Sequence, residues 1–190
     1  DDPWHWWNPP DIPRPKKSAF FRKLFGIPVP EPVLISDFLE IDAFRENICG
    51  CLNCELGNTR RNFVFGSGRH DADIMFVGEA PGSEEDREGK PLVGSSGDLF
   101  NRMLKSIELG RDNVYVANII PWRPPGNRQP TYEEIQSLLP FLIKQIELVN
   151  PSLLVAVGGL AAKTLMNTKG GILRHRGIWS TFDAGLIRDI

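Results

Sequence analysis

The chain has 190 residues, 41% of them hydrophobic, with a net charge of −2 and a pI of about 6.0. That is enough apolar material for one compact domain with a sizeable core plus an appendage. A weakly acidic total excludes a uniformly basic nucleic-acid binder, so any phosphate contact must come from local clusters of Lys and Arg. No apolar run approaches the roughly 18 residues of a membrane span, so no spanning helix is expected. The first residue is Asp1 rather than Met, which suggests a processed or trimmed N-terminus, and no leader peptide is readable.

Residues 1–33 form the first compositional region. They hold eight of the sixteen prolines and three of the five tryptophans, Trp4, Trp6 and Trp7. Proline at this density excludes long helices and leaves an extended, partly polyproline-like arm. Arg14, Lys16, Lys17, Arg22 and Lys23 meet no acid between Ile12 and Pro30, and alternate with Phe20, Phe21, Leu24 and Phe25. One reading is a mobile tail. The other is an arm docked on a large protein or ribonucleoprotein assembly, because free Trp and Phe at this density would be an exposed apolar liability. The expected boundaries are an arm over 1–35 and a folded domain over 36–190.

From residue 36 the elements alternate in an α/β manner. Ser36–Asn47 reads as a helix, capped by Ser36, with Phe38, Leu39, Ile41 and Phe44 on one side. Three cysteines, Cys49, Cys51 and Cys54, follow closely. An odd count in a tight group argues against a disulfide framework and for reduced thiols or a metal site. Asp73–Gly78 is a short apolar run, hence a buried strand. Gly97–Ile107 reads as a helix through Leu99, Met103, Leu104 and Ile107. Asn113–Ile120 is a second strand. Thr131 caps a helix to about Val149, with Glu133 and Glu134 in its first turn, where the helix dipole favours acids. Leu153–Gly158 is a third strand, followed by a small-residue helix over Leu160–Met166. Parallel pairing through right-handed crossovers follows, and ligands in such sheets bind beyond the carboxyl ends of the strands. Gly78–Glu85, Pro121–Arg128 and the Gly158–Gly159 turn all fall on that rim.

The rim segments carry the chemistry. Gly78-Glu79-Ala80-Pro81-Gly82 follows the first strand and is trailed by Glu84, Glu85 and Asp86; a Gly-flanked acid there aims a carboxylate into the cleft. Gly89-Lys90-Pro91-Leu92-Val93-Gly94 comes next. The second strand ends in Asn118, ahead of Trp122-Arg123-Pro124-Pro125-Gly126-Asn127-Arg128, and Arg176-Gly177 and Trp179 come late. In this order and spacing the four motifs resemble the iron–sulfur (family 4) branch of the uracil-DNA glycosylase superfamily, from about Cys51 to Trp179. The W-R-P-P variant resembles alphaproteobacterial members, which points to a mitochondrial location, with cytoplasm or nucleus otherwise.

The resemblance implies a three-layer αβα sandwich around a short central parallel sheet, and excision of uracil flipped from DNA. It implies that Glu79 positions or activates the attacking water. Asn118 reads the uracil edge, an amide being able to donate and accept at once. Gly78, Ala80, Pro81, Gly82, Asp86, Leu92 and Gly94 are the remaining expected substrate contacts. Arg123, Arg128, Arg174 and Arg176 are the expected grip on DNA or RNA.

Three departures stand against that pattern. The family holds a [4Fe–4S] cluster with four cysteines; Cys51 and Cys54 match two, but Trp122 and Leu138 occupy the other positions. A cluster needs all its thiolates, so no cofactor is expected, and Cys51 and Cys54 are the remnant metal pair. A zinc site from Cys49, Cys51, Cys54 and His70 is the other metal reading. Leu92 stands where the family has a Phe that stacks on uracil. The family's next strand and its H-P-x-x-L-L loop, with a histidine that stabilises the uracil anion, have no counterpart before Ile190, so the sequence is either a fragment or lacks that loop and strand, and His175 lies too early to replace it. Taken together these favour a catalytically degenerate scaffold serving a larger assembly, plausibly a mitochondrial ribonucleoprotein. The alternatives are an active uracil-DNA glycosylase of base-excision repair and a non-catalytic DNA-binding module.

Overall fold

Runs such as Ile74-Met75-Phe76-Val77 and Val114-Tyr115-Val116-Ala117 are apolar at every position because both faces of their sheet are covered. The computed structural model describes residues 40–51, 61–168 and 170–182. The expected arm over 1–35, the Ser36 cap and Cys54 lie outside them. The elements in order are α1 (Ile41–Cys51), β1 (Ser67–Gly68), β2 (Ile74–Gly78), α2 (Ser83–Glu88), α3 (Gly94–Ser106), β3 (Val114–Asn118), α4 (Tyr132–Val149), β4 (Leu153–Ala156), α5 (Gly159–Leu165) and α6 (Ile172–His175).

The sheet has the order β1-β3-β2-β4, with β2 parallel to both β3 and β4 and only the two-residue β1 antiparallel. Alternate residues serve opposite layers. Met75 and Val77 of β2 and Tyr115 and Ala117 of β3 face the large core under α1 and α4, with Phe44, Leu139 and Ile143. Val114 and Val116 face a smaller cluster with Phe100 and Leu104 of α3. This is the α/β, three-layer architecture expected.

The start of α4 follows its sequence signature. Thr131 Oγ1 accepts from the Glu134 N–H at 3.2 Å, while Glu134 reaches back to the Thr131 N–H at 2.7 Å. This capping box satisfies two backbone donors that the first turn leaves without helical partners. The helix ends at Asn150, left-handed at φ 51°, whose N–H bonds Ile146 O at 2.7 Å.

Some elements differ from expectation. α1 runs through Asn47 into the cysteine run, since Ile41, Phe44 and Ile48 keep one buried face going. α3 buries Gly97, Phe100 and Leu104 rather than the stripe through Leu99 and Met103. Leu99, Met103 and Ile107 are 53%, 59% and 44% exposed, because the stripe aimed at Val114 and Val116 is the one three to four residues apart from Gly97. Among the described residues no helix is long and apolar enough to cross a membrane.

Thr131→Ala removes the cap while leaving the packed face of α4 intact. Thermal unfolding is expected to show a loss of about 1 kcal/mol, a fall in Tm of roughly 2–4 °C for a chain of this size.

Candidate active site

The crevice of this sheet is set by where the chain goes after each strand. After β2 it passes to α2 and α3, and α3 packs on one face; after β3 it passes to α4 on the other. Neighbouring parallel strands whose connections diverge to opposite faces leave a gap at their carboxyl ends, the usual ligand position in open α/β sheets. Here that gap lies between Gly78 and Asn118, which are paired in register.

Asn118 is 6% exposed, and its Nδ2 is buried without a hydrogen-bond partner among the described residues. An unmet donor of this kind costs about 1–3 kcal/mol, and native proteins rarely leave one without cause. Gly78 makes the geometry possible. A Cβ at that position would lie 2.5 Å from Asn118 Oδ1, so any larger residue would evict the amide from the strand end.

The loop after β2 is fixed at both ends. Ile119 N–H donates to Gly78 O at 2.9 Å and Ile120 N–H to Glu79 O at 3.3 Å, tying the exits of β2 and β3 together. Glu79 is therefore held at the rim beside Asn118 in sequence register, half-buried. Ala80 packs against the large core, Pro81 is buried, and Gly82 caps α2. Glu85 is the tie that the sequence did not suggest. One carboxylate oxygen accepts from Gly82 N–H at 3.0 Å and the other from Val93 N–H at 3.1 Å. It thus links the Gly78–Gly82 loop to the Gly89–Gly94 loop.

Asp86, expected among the substrate contacts, has another part. It is 2% exposed and its Oδ1 accepts from the backbone N–H groups of Arg61 and Asn62 at 2.9 and 3.1 Å. Asn62 Nδ2 returns a bond to Asp86 O at 2.7 Å. Asp86 anchors the chain entering the domain, and its acidity in the motif answers to backbone donors.

Leu92 and Gly94 sit in the second loop with φ of 48° and 59°. For leucine the left-handed region is disfavoured by roughly 1–2 kcal/mol, so the surrounding structure must impose it. Gly97 permits the close approach: a Cβ there would lie 2.1 Å from Leu92 O. The Leu92 side chain packs on the Phe100, Leu104, Val114 and Val116 cluster. Asn118 shares strand parity with Val114 and Val116, so Leu92 and Asn118 belong to the same side of the sheet.

The arginines divide into two kinds. Arg123 Nε donates to Asn127 Oδ1 at 2.6 Å, which braces the Pro124–Asn127 turn. Arg128 makes a forked pair with Glu134 at 2.8 and 2.5 Å and a bond to Gln129 O at 3.0 Å. The Arg128 guanidinium holds the Glu134 carboxyl below the usual carboxylate range. Both were expected to grip nucleic acid, and both are engaged within the loop. Arg174 and Arg176 are exposed, at and just after α6. His175 accepts or donates at 2.9 Å to Thr168 Oγ1, bracing its own turn.

The positions implied for an iron–sulfur cluster do not fit one. Trp122 and Leu138 are 0% and 1% exposed and belong to the large core, with the Trp122 ring 5.8 Å from that of Phe63. An indole and an isobutyl group supply no thiolate. Of the zinc grouping, Cys54 lies outside the described residues, and His70 and the two remaining cysteines lie at opposite ends of α1. His70 lies beside Asp42 in the first turn of α1, with Nδ1 3.4 Å from Asp42 Oδ2. Cys49 and Cys51 lie in the last turn of that 11-residue helix, about 10 Å or more further along its axis. A zinc ligand must come within about 2 Å of the ion.

Comparison with known proteins places this geometry. The uracil DNA glycosylase superfamily matches residues 65–185. A type-4 uracil-DNA glycosylase of Archaeoglobus fulgidus is 42% identical over 127 residues, covering 67% of this chain and 64% of that protein. One from Sulfurisphaera tokodaii is 40% identical over 131 residues, covering 68% and 60%. One from Pyrobaculum aerophilum is 39% identical over 132 residues, covering 70% and 67%. The match thus spans less than two thirds of the first two of these relatives. With its Gly78–Asn118 crevice and four-stranded, mostly parallel sheet, the chain belongs to the uracil DNA glycosylase superfamily.

Proposed function

We propose that this chain is a uracil-DNA glycosylase that excises uracil from DNA. The observation that carries the proposal is the buried, unpartnered Nδ2 of Asn118 in the crevice at the ends of β2 and β3. Uracil offers an acceptor at O4 beside a donor at N3–H, and a carboxamide meets that pair with Nδ2–H and Oδ1. Cytosine presents a donor where uracil presents O4, which would set two N–H groups against each other. The Asn118 amide is buried in the protein, so a base reaches it only when flipped out of the stack.

Glu79 directly follows Gly78, the register partner of Asn118, at the end of β2. There it orients a water toward the sugar carbon and takes its proton as the glycosidic bond breaks. Water supplies the oxygen to the sugar, and the bonding pair leaves with uracil. The likeness to type-4 uracil-DNA glycosylases supports this reading over a retired scaffold, and lends nothing to a ribonucleoprotein subunit or a mitochondrial address.

Incubation with single-stranded, uracil-containing DNA is the test. The chain is expected to release uracil, and Asn118→Ala to lower the rate about a hundredfold, the usual cost of deleting one donor from such a site. Glu79→Ala is expected to lose a similar factor. No release from folded wild-type protein would overturn the proposal.

Leu92 offers an apolar face to the base but no ring. Leu92→Phe is expected to strengthen binding of uracil DNA about fivefold or more, since stacking on an aromatic is worth roughly 1–3 kcal/mol per base. Unchanged or weaker binding would place the base away from residue 92.

The expectation of no iron–sulfur cluster is supported by Trp122 and Leu138, which supply no thiolate and belong to the core. Metal analysis of protein purified without oxygen is expected to find no stoichiometric iron, and Cys51→Ala to leave the Tm unchanged. Stoichiometric iron would contradict this.

A further inference from the structure

Arg111 lies between α3 and β3, in the turn where the sequence shows only a lone cation among polar residues. Its guanidinium is engaged on every side. Nε donates to Asn101 Oδ1 at 2.8 Å, Nη1 to Pro91 O at 3.0 Å, and Nη2 to Leu92 O. The guanidinium carbon lies 4.9 Å from the centre of the Phe100 ring, a cation–π distance. Two consecutive carbonyls of the Pro91–Leu92 loop are thus held by one rigid fork, with α3 supplying Asn101 and Phe100 as its seat.

The loop needs such a hold. Leu92 has φ of 48°, a conformation that a branched side chain does not keep unless its neighbours impose it. Gly97 only leaves room for the Leu92 carbonyl to cross α3; it supplies no attraction. Glu85 holds the following residue by the Val93 N–H at 3.1 Å. Charge-assisted bonds from a planar guanidinium are strong and directional, and a lysine, as a point charge, does not bridge two carbonyls and an amide at once.

We infer that Arg111 is the positioning residue of the base-binding wall. It fixes the left-handed turn that turns the Leu92 side chain toward the side of the sheet where Asn118 presents its amide, and itself touches neither base nor DNA. The inference rests on the glycosylase reading for its purpose, and on the Pro91–Leu92 contacts for its mechanics.

The experiment compares wild type, Arg111→Lys and Arg111→Met, alone and with Leu92→Ala. Three quantities are read: inhibition of uracil release by free uracil, KM and kcat on single-stranded uracil DNA, and amide hydrogen exchange at residues 92–94. Arg111→Lys, which keeps the charge near Phe100, is expected to weaken free-uracil inhibition about tenfold or more, as small misplacements in a site do. It is also expected to raise KM and to speed exchange at residues 92–94. In the Leu92→Ala background the same change is expected to add almost nothing to uracil affinity, because the group being positioned is gone. Wild-type uracil affinity and exchange in Arg111→Lys would overturn the inference. Fully additive losses in the double variant would overturn it too, marking Arg111 as a general stabiliser. Should wild type release no uracil, the glycosylase reading fails, and exchange at residues 92–94 in the Lys variant still decides the clamp. If Arg111→Met does not fold, the Lys variant carries the comparison.

Discussion

The pairing of Gly78 with Asn118 at the ends of two parallel strands is the constraint on which the rest of the site depends. Each residue is needed for what the other does. Glycine at 78 keeps the space that the amide occupies, and β3 buries that amide with its donor unmet. The crossovers to opposite faces set that amide at the strand-end position where ligands of open α/β sheets bind. The backbone bonds from Ile119 and Ile120 to Gly78 and Glu79 carry the same register into the loops. A slip of one residue in β2 against β3 would turn Gly78 to the other layer and set a larger residue against Asn118.

Around that pair the loops are secured by side chains bonded to backbone groups and to one another. Asp86 satisfies the backbone of Arg61 and Asn62, Glu85 joins the Gly82 and Val93 amides, and Arg128 with Glu134 secures the turn before α4. Motifs dense in acids and arginines are thus divided between scaffold and site. The substitution of cluster-position residues by Trp122 and Leu138 follows the same economy of structure. Both side chains extend the large apolar core against α4.

How much of this was legible in the sequence depended on whether a local pattern carried it. The strands stood out because burial on both faces makes them continuously apolar, and Thr131 with Glu134 announced the start of α4. The rim was readable once the strands were parallel. α2, the segment Ser83–Glu88, has no apolar stripe at all, being held by the Glu85 carboxylate on the Gly82 N–H and by Asp86, so periodicity could not reveal it. β1 is two residues long and owes its existence to pairing with β3. The buried face of α3 was legible only in part: of the expected Leu99, Met103, Leu104 and Ile107, Leu104 alone is buried, beside Gly97 and Phe100, whose spacing makes a less apolar stripe. Arg111 bonds carbonyls far away in the chain, and a backbone acceptor leaves no mark in a sequence.

The most direct measurement of the central claim is the side-chain amide resonance of Asn118, followed by nitrogen-15 NMR while free uracil and then free cytosine are added. The account predicts that uracil shifts this NH₂ signal and slows its exchange with water, and that cytosine does neither. Uracil binding that leaves the Asn118 amide unmoved, or an equal response to both bases, would contradict it.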